Sequence, residues 1–185
     1  MSKLYVVRHG ETDFNIQGKY AGSTDVELNE IGENQAKVLA ETFVDKPINI
    51  IMSSTLKRAM RTATIIAERI GKEVVALGDF VERNVGLYEG LTREEVSLRY
   101  PDLWNQNVLR LYDCNLHKGE SMRQVRERVY KGLEYIKDTY KGCNIILVTH
   151  GYVSREIYGY FNKLSEEKFN RYVLNNCQVA EYDME

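Results

Sequence analysis

The sequence is poor in the residues that mark specialised classes of protein. Among 185 residues there are two prolines, three cysteines and three histidines. So few prolines exclude collagen-like and proline-rich disordered chains. The first apolar run, residues 4–7, is too short for the core of a signal peptide, and no uncharged apolar run approaches the roughly 18 residues of a membrane span. We therefore expect a cytoplasmic protein with no membrane partner.

The cysteines and the charge balance exclude further classes. Cys114, Cys143 and Cys177 are odd in number and none has CxxC spacing, which argues against a disulfide framework and a zinc knuckle. The chain carries 25 lysines and arginines against 27 aspartates and glutamates, a net charge of −2. No basic excess points to nucleic acid or an acidic membrane surface as a partner. The length, with 43% hydrophobic residues, favours one domain over residues 1–185 with a buried core.

Short apolar runs alternate with helical patterns along the chain. Five runs are typical of strands, the first four of them resembling buried parallel strands: 4–7, 48–52, 73–77, 145–148 and, more weakly, 179–182. The alternation predicts an α/β fold, a three-layer sandwich in which helices flank a mostly parallel central sheet. Residues 90–119 interrupt it with a capping box, Pro101 and Trp104, and we interpret them as a short helical insertion over one end of the sheet.

Helix boundaries are marked by capping residues. Asn29 is expected to cap one helix, Gly71 to end a second, and Ser121 with Gln124 to form a capping box on the most regular helical pattern. Ser165, followed by two glutamates, is expected to start a short terminal helix. Basic residues of the long helix are interpreted as a solvated face and not as a nucleic-acid stripe: Arg123, Arg126, Arg128 and Lys131.

Two of the three histidines share a local setting. His9 and His150 each follow a predicted strand and each is followed by a glycine. Because ligands of open α/β sheets bind at the carboxyl ends of the strands, the two side chains are expected to converge there. Either histidine alone could be a structural residue, and metal binding is a competing use of imidazole. No HxH, HxxxH or HExxH spacing supports a metal, so none is predicted. His117 is interpreted as a solvated loop residue.

Basic and polar residues near these histidines indicate an anion pocket. Arg8 precedes His9, Asn15 follows closely, and Arg58 falls in the first turn of a helix that follows a strand. Arginine binds phosphate oxygens through paired donors, and helix N-termini favour anions. In such a pocket a neutral imidazole can attack phosphorus while cations stabilise the oxygens without magnesium. The leaving oxygen then requires an acid, which spacing alone does not select from the 27 carboxylates.

The motifs around these residues resemble, in order along nearly the whole chain, the histidine phosphatase superfamily in its phosphoglycerate mutase-like branch. An Arg-His-Gly tripeptide alone is a weak signal, whereas the ordered set is specific. The segments that carry the resemblance are 4–12, Asn15, Gly22, 53–59, Glu82, 89–90, 119–121 and 148–151.

The resemblance implies a role for each matched residue. His9 matches the nucleophile that becomes phosphorylated, and Glu82 matches the proton donor that later activates water. The residues that match phosphate or substrate contacts are Arg8, Asn15, Gly22 through its backbone, Arg58 and His150. The resemblance also implies that neither a metal nor a cofactor is required.

The length favours hydrolysis over return of the phosphoryl group to the substrate. Mutases of this family are longer and carry extra basic residues for a second phosphate, whereas 90–119 has no cluster of paired arginines. The compact form most resembles α-ribazole phosphatases and related small phosphatases, which implies a phosphomonoesterase for a small phosphorylated metabolite. The alternatives are a cofactor-dependent phosphoglycerate mutase and a non-catalytic module that binds a phosphorylated ligand or a protein. The oligomeric state and the natural substrate stay open.

Overall fold

The computed structural model describes residues 2–165 and 172–184, and a five-stranded sheet runs through their centre. The strands are β1 (Ser2–Arg8), β2 (Ile50–Ser53), β3 (Val74–Ala76), β4 (Ile145–Thr149) and β5 (Val179–Met184). Their order across the sheet is β3-β2-β4-β1-β5. The first four strands are parallel, and β5 is antiparallel to β1. The predicted mostly parallel sheet is therefore confirmed.

Helices cover both faces of this sheet. In chain order they are α1 (Asp13–Ile16), α2 (Glu30–Glu41), α3 (Lys57–Ile70), α4 (Arg93–Arg99), α5 (Pro101–Asn105), α6 (Met122–Thr139) and α7 (Gly151–Asn162). Strand side chains alternate between faces. In β1, Leu4 and Val6 pack with α6 and α7, whereas Tyr5 and Val7 pack with α2 and α3. The predicted three layers are confirmed. Within the described residues, no helix is long and apolar enough to cross a lipid bilayer.

Two of the predicted strands differ in the structure. β2 begins at Ile50, two residues later than the apolar run that predicted it. β3 lies at one edge of the sheet, with Val75 38% exposed, so the prediction of a buried strand was wrong there. An apolar pattern alone does not distinguish a central strand from an edge strand, because the pairing partners come from distant segments of the chain.

The predicted helix boundaries are confirmed where the structure describes them. Asn29 caps α2 by accepting a hydrogen bond from a first-turn backbone N–H at 2.8 Å. Gly71 follows α3 with a φ of 67°, a left-handed conformation that glycine adopts without strain. Ser121 and Gln124 form the reciprocal capping box of α6. The helix predicted to begin at Ser165 falls on residues outside the described part of the chain.

The segment 90–119 is helical, as predicted, and contains α4, α5 and a 3-10 turn at Val108–Arg110. It has a small core of its own, in which Val96 packs near Tyr88. The fully buried guanidinium of Arg83 ties this segment to the body by donating to the carbonyls of Leu109, Cys114 and Glu120, at 2.9, 3.1 and 2.9 Å. The hydrogen bonds to Leu109 and Cys114 satisfy two backbone carbonyls of the segment.

Candidate active site

The pairing of β1 with β4 brings His9 and His150 together. The two strands are parallel neighbours in which Arg8 pairs with Thr149, so both chains leave the sheet at the same edge. The His9 N–H donates to the Thr149 carbonyl at 3.0 Å. The two imidazole rings are buried, and their centroids lie 5.1 Å apart. The prediction that these two side chains converge at the carboxyl ends of their strands is therefore confirmed.

A backbone carbonyl sets the protonation of the His9 ring. Nδ1 lies 2.7 Å from the Gly10 carbonyl oxygen, which only accepts hydrogen bonds, so the ring proton belongs on Nδ1. The lone pair of the neutral ring is then on Nε2. Gly10 also has to be glycine, because a Cβ at this position would lie 2.5 Å from the Gly32 carbonyl oxygen. The turn after β1 thus fixes the tautomer of His9 in which Nε2 carries the lone pair.

Ser54 orients the second imidazole. Its Oγ lies 2.7 Å from His150 Nε2 and accepts from the Leu56 N–H at 3.3 Å, and we assign the hydroxyl hydrogen to a bond with the ring. His150 then carries its own proton on Nδ1, and this buried atom has no hydrogen-bond partner. Sequence reasoning missed Ser54 as a site residue. The signal was available, since Ser54 directly follows β2, the neighbour of β4 in the sheet.

One buried arginine, Arg58, and one half-buried arginine, Arg8, face the same pocket with part of each guanidinium uncommitted. Arg58 is 1% exposed and donates its two terminal nitrogens to the carbonyls of Gly22 and Thr24, at 2.8 and 2.7 Å. Arg8 donates one terminal nitrogen to the Leu174 carbonyl at 2.9 Å. In both side chains Nε is buried without a partner. Gly22, predicted to contact substrate through its backbone, is seen here to orient Arg58 through its carbonyl.

The electrostatics of the pocket keep both imidazoles neutral. Burial disfavours the charged rings, and the positive charges of Arg58 and Arg8 add to that effect. Together they hold the pKa values of His9 and His150 well below the ordinary value of 6.5. The hydrogen bond from His9 to the Gly10 carbonyl opposes this shift but does not overcome it. A neutral imidazole is the form that can attack an electrophile.

These pKa shifts predict a pH dependence. As the pH falls from about 7.5 to about 5.5, we expect the His9 and His150 rings of the free protein to stay neutral, whereas rings of the unfolded chain protonate near 6.5. Their contribution to stability is therefore complete above about pH 6.5 and falls below it, by about 1.4 kcal/mol per pH unit for each ring. NMR of ¹⁵N-histidine-labelled protein tests this, with the urea-unfolded protein as control. A folded-state titration of either ring near pH 6.5 would contradict it.

Glu82 lies beside this pocket, on the segment that follows β3. Its Oε1 accepts from the Arg83 N–H at 2.9 Å and its Oε2 from the Tyr152 N–H at 3.2 Å. A Cβ built on Gly151 would lie 3.6 Å from Glu82 Oε2 and 4.0 Å from the guanidinium carbon of Arg8. The carboxylate is therefore held by two backbone amides next to the turn that carries His150.

A half-buried ion pair between Arg128 and Glu120 shapes the segment that carries Glu82. Arg128 on α6 donates to the carbonyls of Asp79 and Val81, at 2.8 and 2.7 Å, and to Glu120 Oε1 at 2.9 Å. The other oxygen of Glu120 accepts from the Asn84 N–H at 3.0 Å. Residues on both sides of Glu82 are thus fixed by one arginine and one glutamate.

These contacts correct the interpretation of the basic residues on α6 as a solvated face. The side chains of Arg126 and Arg128 are only 18% exposed, and Arg126 pairs with the buried Glu156 at 2.8 Å. Arg123 fits the prediction better, because it is about half exposed and pairs with the exposed Asp113. The sequence pattern indicates the charges on α6 but not their partners on other segments, which are Glu156 of α7 for Arg126 and the loop before Glu82 for Arg128.

Asn15 lies on the other side of His9. Its Oδ1 accepts from the Thr12 N–H and hydroxyl, both at 3.1 Å, and is 3.4 Å from Asn176 Nδ2. Asn176 also donates to the His9 carbonyl at 2.8 Å and is a second residue that sequence reasoning missed. Since the carbonyl end of Asn15 is engaged, its amide nitrogen is the end left to meet a ligand. His117, by contrast, is exposed on its loop, as predicted.

Comparisons with known proteins identify the family of the chain. The chain belongs to the histidine phosphatase superfamily (branch 1), whose sequence profile matches residues 4–185. It is 36% identical to the uncharacterized phosphatase PhoE of Bacillus subtilis over 185 residues, which covers 98% of this chain and 90% of that one. It is 33% identical to the probable phosphoglycerate mutase GpmB of Escherichia coli O1:K1, covering 99% and 85%.

A solved structure shares the fold of this chain. A mycobacterial glucosyl-3-phosphoglycerate phosphatase, determined with VO3, superimposes with a TM-score of 0.89 over 98% of this chain and 90% of that chain, at 25% identity. The recognition of the family, the fold class and the phosphatase relationship predicted from the sequence are therefore confirmed. Across residues 2–165 and 172–184, no group of three or more His, Cys, Asp or Glu side chains is arranged to hold a metal ion.

Proposed function

We propose that this chain is a metal-independent phosphomonoesterase that hydrolyses a small phosphorylated metabolite through a phosphohistidine intermediate. The observation that carries the proposal is a set of buried nitrogens without partners beside the His9 ring: Arg8 Nε, Arg58 Nε and His150 Nδ1. A buried donor without an acceptor is costly, and a phosphoryl group supplies acceptor oxygens. The two guanidinium groups also match the negative charge spread over those oxygens in the transition state.

In the first step, His9 Nε2 attacks phosphorus. An N–P bond forms, the P–O bond to the leaving group breaks, and its electron pair goes to the leaving oxygen. Glu82 gives that oxygen a proton, which avoids release of an alkoxide. Arg8, Arg58 and His150 bind the phosphoryl oxygens. Asn15, through its amide nitrogen, and the backbone at Gly22 are proposed as further contacts to phosphate or substrate.

In the second step, water replaces the leaving group. The Glu82 carboxylate accepts a proton from water as its oxygen attacks phosphorus, and the N–P bond breaks with its electron pair returning to Nε2. Inorganic phosphate, neutral His9 and protonated Glu82 result, so the cycle closes without a cofactor. The proposal needs no metal because the positive charge facing the phosphoryl group comes from arginines.

Two other functions would use the same pocket. A phosphoglycerate mutase would return the phosphoryl group to the substrate instead of to water, and one relative carries that name. A non-catalytic binding module would use the same anion pocket but would have no need for a carboxylate held beside Arg8 by two amides. That placement of Glu82 favours an enzyme.

A single assay discriminates these readings. Purified protein treated with a chelator is incubated with a panel of phosphomonoesters that includes 3-phosphoglycerate, α-ribazole phosphate (a candidate suggested by the compact chain), phosphoserine, sugar phosphates and nucleotides. We expect phosphate release from at least one ester, undiminished by the chelator. Conversion of 3-phosphoglycerate to 2-phosphoglycerate without phosphate release would favour the mutase. Binding without any reaction would favour the module, and dependence on added metal would contradict metal independence.

A further inference from the structure

Glu89 is a half-buried carboxylate that takes part in no step of the proposed reaction. Its Oε1 accepts hydrogen bonds from the Ser23 N–H at 2.7 Å, the Ser23 hydroxyl at 2.9 Å and the Val85 N–H at 3.3 Å. Its Oε2 accepts from the Thr24 hydroxyl at 2.7 Å. Both carboxylate oxygens are thus engaged by the protein, and three of the four hydrogen bonds hold residues 22–24, which we call the 22–24 turn.

The backbone of this turn fits closely around the carboxylate. Gly22 has a φ of 51°, a left-handed conformation that glycine adopts without strain. A Cβ at Gly22 would also lie 2.2 Å from Glu89 Oε1, so a larger residue would displace the carboxylate. Just before the turn, the Tyr20 carbonyl accepts from the Gly90 N–H at 2.8 Å and the Tyr20 N–H donates to the Leu91 carbonyl at 2.9 Å. The two segments are therefore joined through their backbones as well as through Glu89.

The 22–24 turn in its own right orients Arg58. The carbonyls of Gly22 and Thr24 accept from the two terminal nitrogens of Arg58, at 2.8 and 2.7 Å. Because a guanidinium is planar and rigid, two hydrogen bonds to one turn fix its plane and the direction of its remaining N–H donors. One of those donors is the buried Nε, which has no partner. The direction in which Arg58 presents its free donors to the pocket therefore depends on the position of the turn.

The charge of Glu89 also reaches Arg58. Burial chiefly lowers the pKa of Arg58, and the negative charges of Glu82, Asp25 and Glu89 oppose that shift. Asp25 accepts from the Lys57 N–H at the start of α3, whereas Glu89 accepts from the turn that holds the guanidinium. Glu89 is therefore placed to set the orientation of Arg58 as well as to stabilise its charge.

We propose that Glu89 is a positioning residue of the phosphate pocket: by holding the 22–24 turn, it keeps Arg58 in the orientation that binds the phosphoryl oxygens. The inference rests on the proposed function for the identity of the bound group. Glu89 itself neither touches the substrate nor transfers a proton. Its effect on binding and turnover should therefore disappear when Arg58 is removed, whereas a general contribution to folding would persist.

Binding of inorganic phosphate tests the pocket without turnover. By calorimetry, Glu89→Ala should raise the Kd for phosphate by about 10-fold, because Arg58 loses the geometry of a charge-assisted hydrogen bond. Glu89→Gln keeps a carbonyl oxygen for the turn and should bind phosphate within about threefold of the wild-type protein. Glu95→Ala is the matched control, since Glu95 also accepts a backbone N–H, at 2.8 Å, but does so in the capping box of α4. Its Kd should be unchanged.

A double-mutant cycle with Arg58→Met separates positioning from stability. With p-nitrophenyl phosphate, Glu89→Ala should lower kcat/KM by about 10- to 100-fold when Arg58 is present, and by less than about threefold in the Arg58→Met protein. If Glu89→Ala shows no cooperative thermal transition, Thr24→Val replaces it in the cycle. That variant removes one hydrogen bond to Glu89 at nearly constant side-chain size, and should show the same dependence on Arg58 to a smaller extent.

The outcomes distinguish this inference from the proposed function. Equal Kd values for Glu89→Ala and Glu89→Gln, or equal losses of kcat/KM with and without Arg58, would overturn the positioning role. A loss in Glu95→Ala as large as that in Glu89→Ala would overturn it as well, since it would show a general effect on the fold. Phosphate binding that follows the expected pattern, in a protein that hydrolyses no ester, would overturn the proposed reaction and leave the role of Glu89 standing.

Discussion

His9→Asn is expected to lower kcat by about 10⁴-fold or more, because the variant loses the atom that forms the bond to phosphorus. The asparagine fits the same space and can still meet the Gly10 carbonyl, so the fold should be kept. With rapid acid-free quenching, wild-type protein given ³²P-labelled substrate should carry an acid-labile label, and the variant should carry none. The same experiment reports the nucleophile and the intermediate together.

A second histidine of the chain provides the control for this variant. His117 is exposed on the 90–119 segment, and His117→Asn should keep both the label and the turnover. A His9→Asn protein that turns over at the wild-type rate would show that His9 is not the nucleophile. Loss of turnover by both variants to the same extent would point instead to general damage, which the melting temperature would reveal.

Glu82→Gln is expected to separate substrates by their leaving group. For an alkyl phosphate the leaving oxygen needs a proton, so kcat should fall by about 10²- to 10⁴-fold. For p-nitrophenyl phosphate the leaving group departs without one, so phosphorylation of His9 should stay fast while water attack becomes slow. Stopped-flow absorbance should then show a burst of p-nitrophenol that the wild-type protein lacks.

Two comparisons make the Glu82 result specific. Glu94→Gln alters an exposed carboxylate of α4 and should leave kcat unchanged for both substrates. Arg128→Met removes the side chain that fixes the carbonyls of Asp79 and Val81, and should show a weaker form of the same leaving-group dependence, by about 10- to 100-fold. Arg123→Met, on the same helix, is its matched control. Equal losses for both substrates in Glu82→Gln would mean that Glu82 does not supply the proton.

The sequence predicted what local chemistry determines. Apolar runs followed by a histidine and a glycine located the edge of the sheet where His9 and His150 meet, and capping residues located the starts of α2 and α6 and the end of α3. These features depend on a few neighbouring residues and on the geometry common to all parallel sheets. The assignment of Glu82 came from the family resemblance, since spacing did not single it out among many carboxylates.

Contacts between distant segments could not be predicted in this way. Ser54 and His150 follow the neighbouring strands β2 and β4, and their side chains form a hydrogen bond. The side chain of Arg128 extends from α6 to the loop before Glu82. Arg155 looks in the sequence like one more polar residue of a helix, and only the fold places it with Arg93 and Arg110 around one cavity. Sequence patterns report which face a residue occupies on its own element, but the partner on another element depends on tertiary packing.

The pairing of β1 with β4 has a consequence for how the protein is made. β1 lies at the start of the chain and β4 near its end, and their register sets the relative height of His9 and His150. Closing so long a loop is entropically costly and comes late in folding. A nascent chain that has emerged only as far as α4 contains His9 and Glu82 but lacks β4 and His150, so it has no complete phosphate pocket. Phosphatase activity should therefore appear only when the sheet is complete, which makes activity during refolding a direct measure of the last stage of assembly.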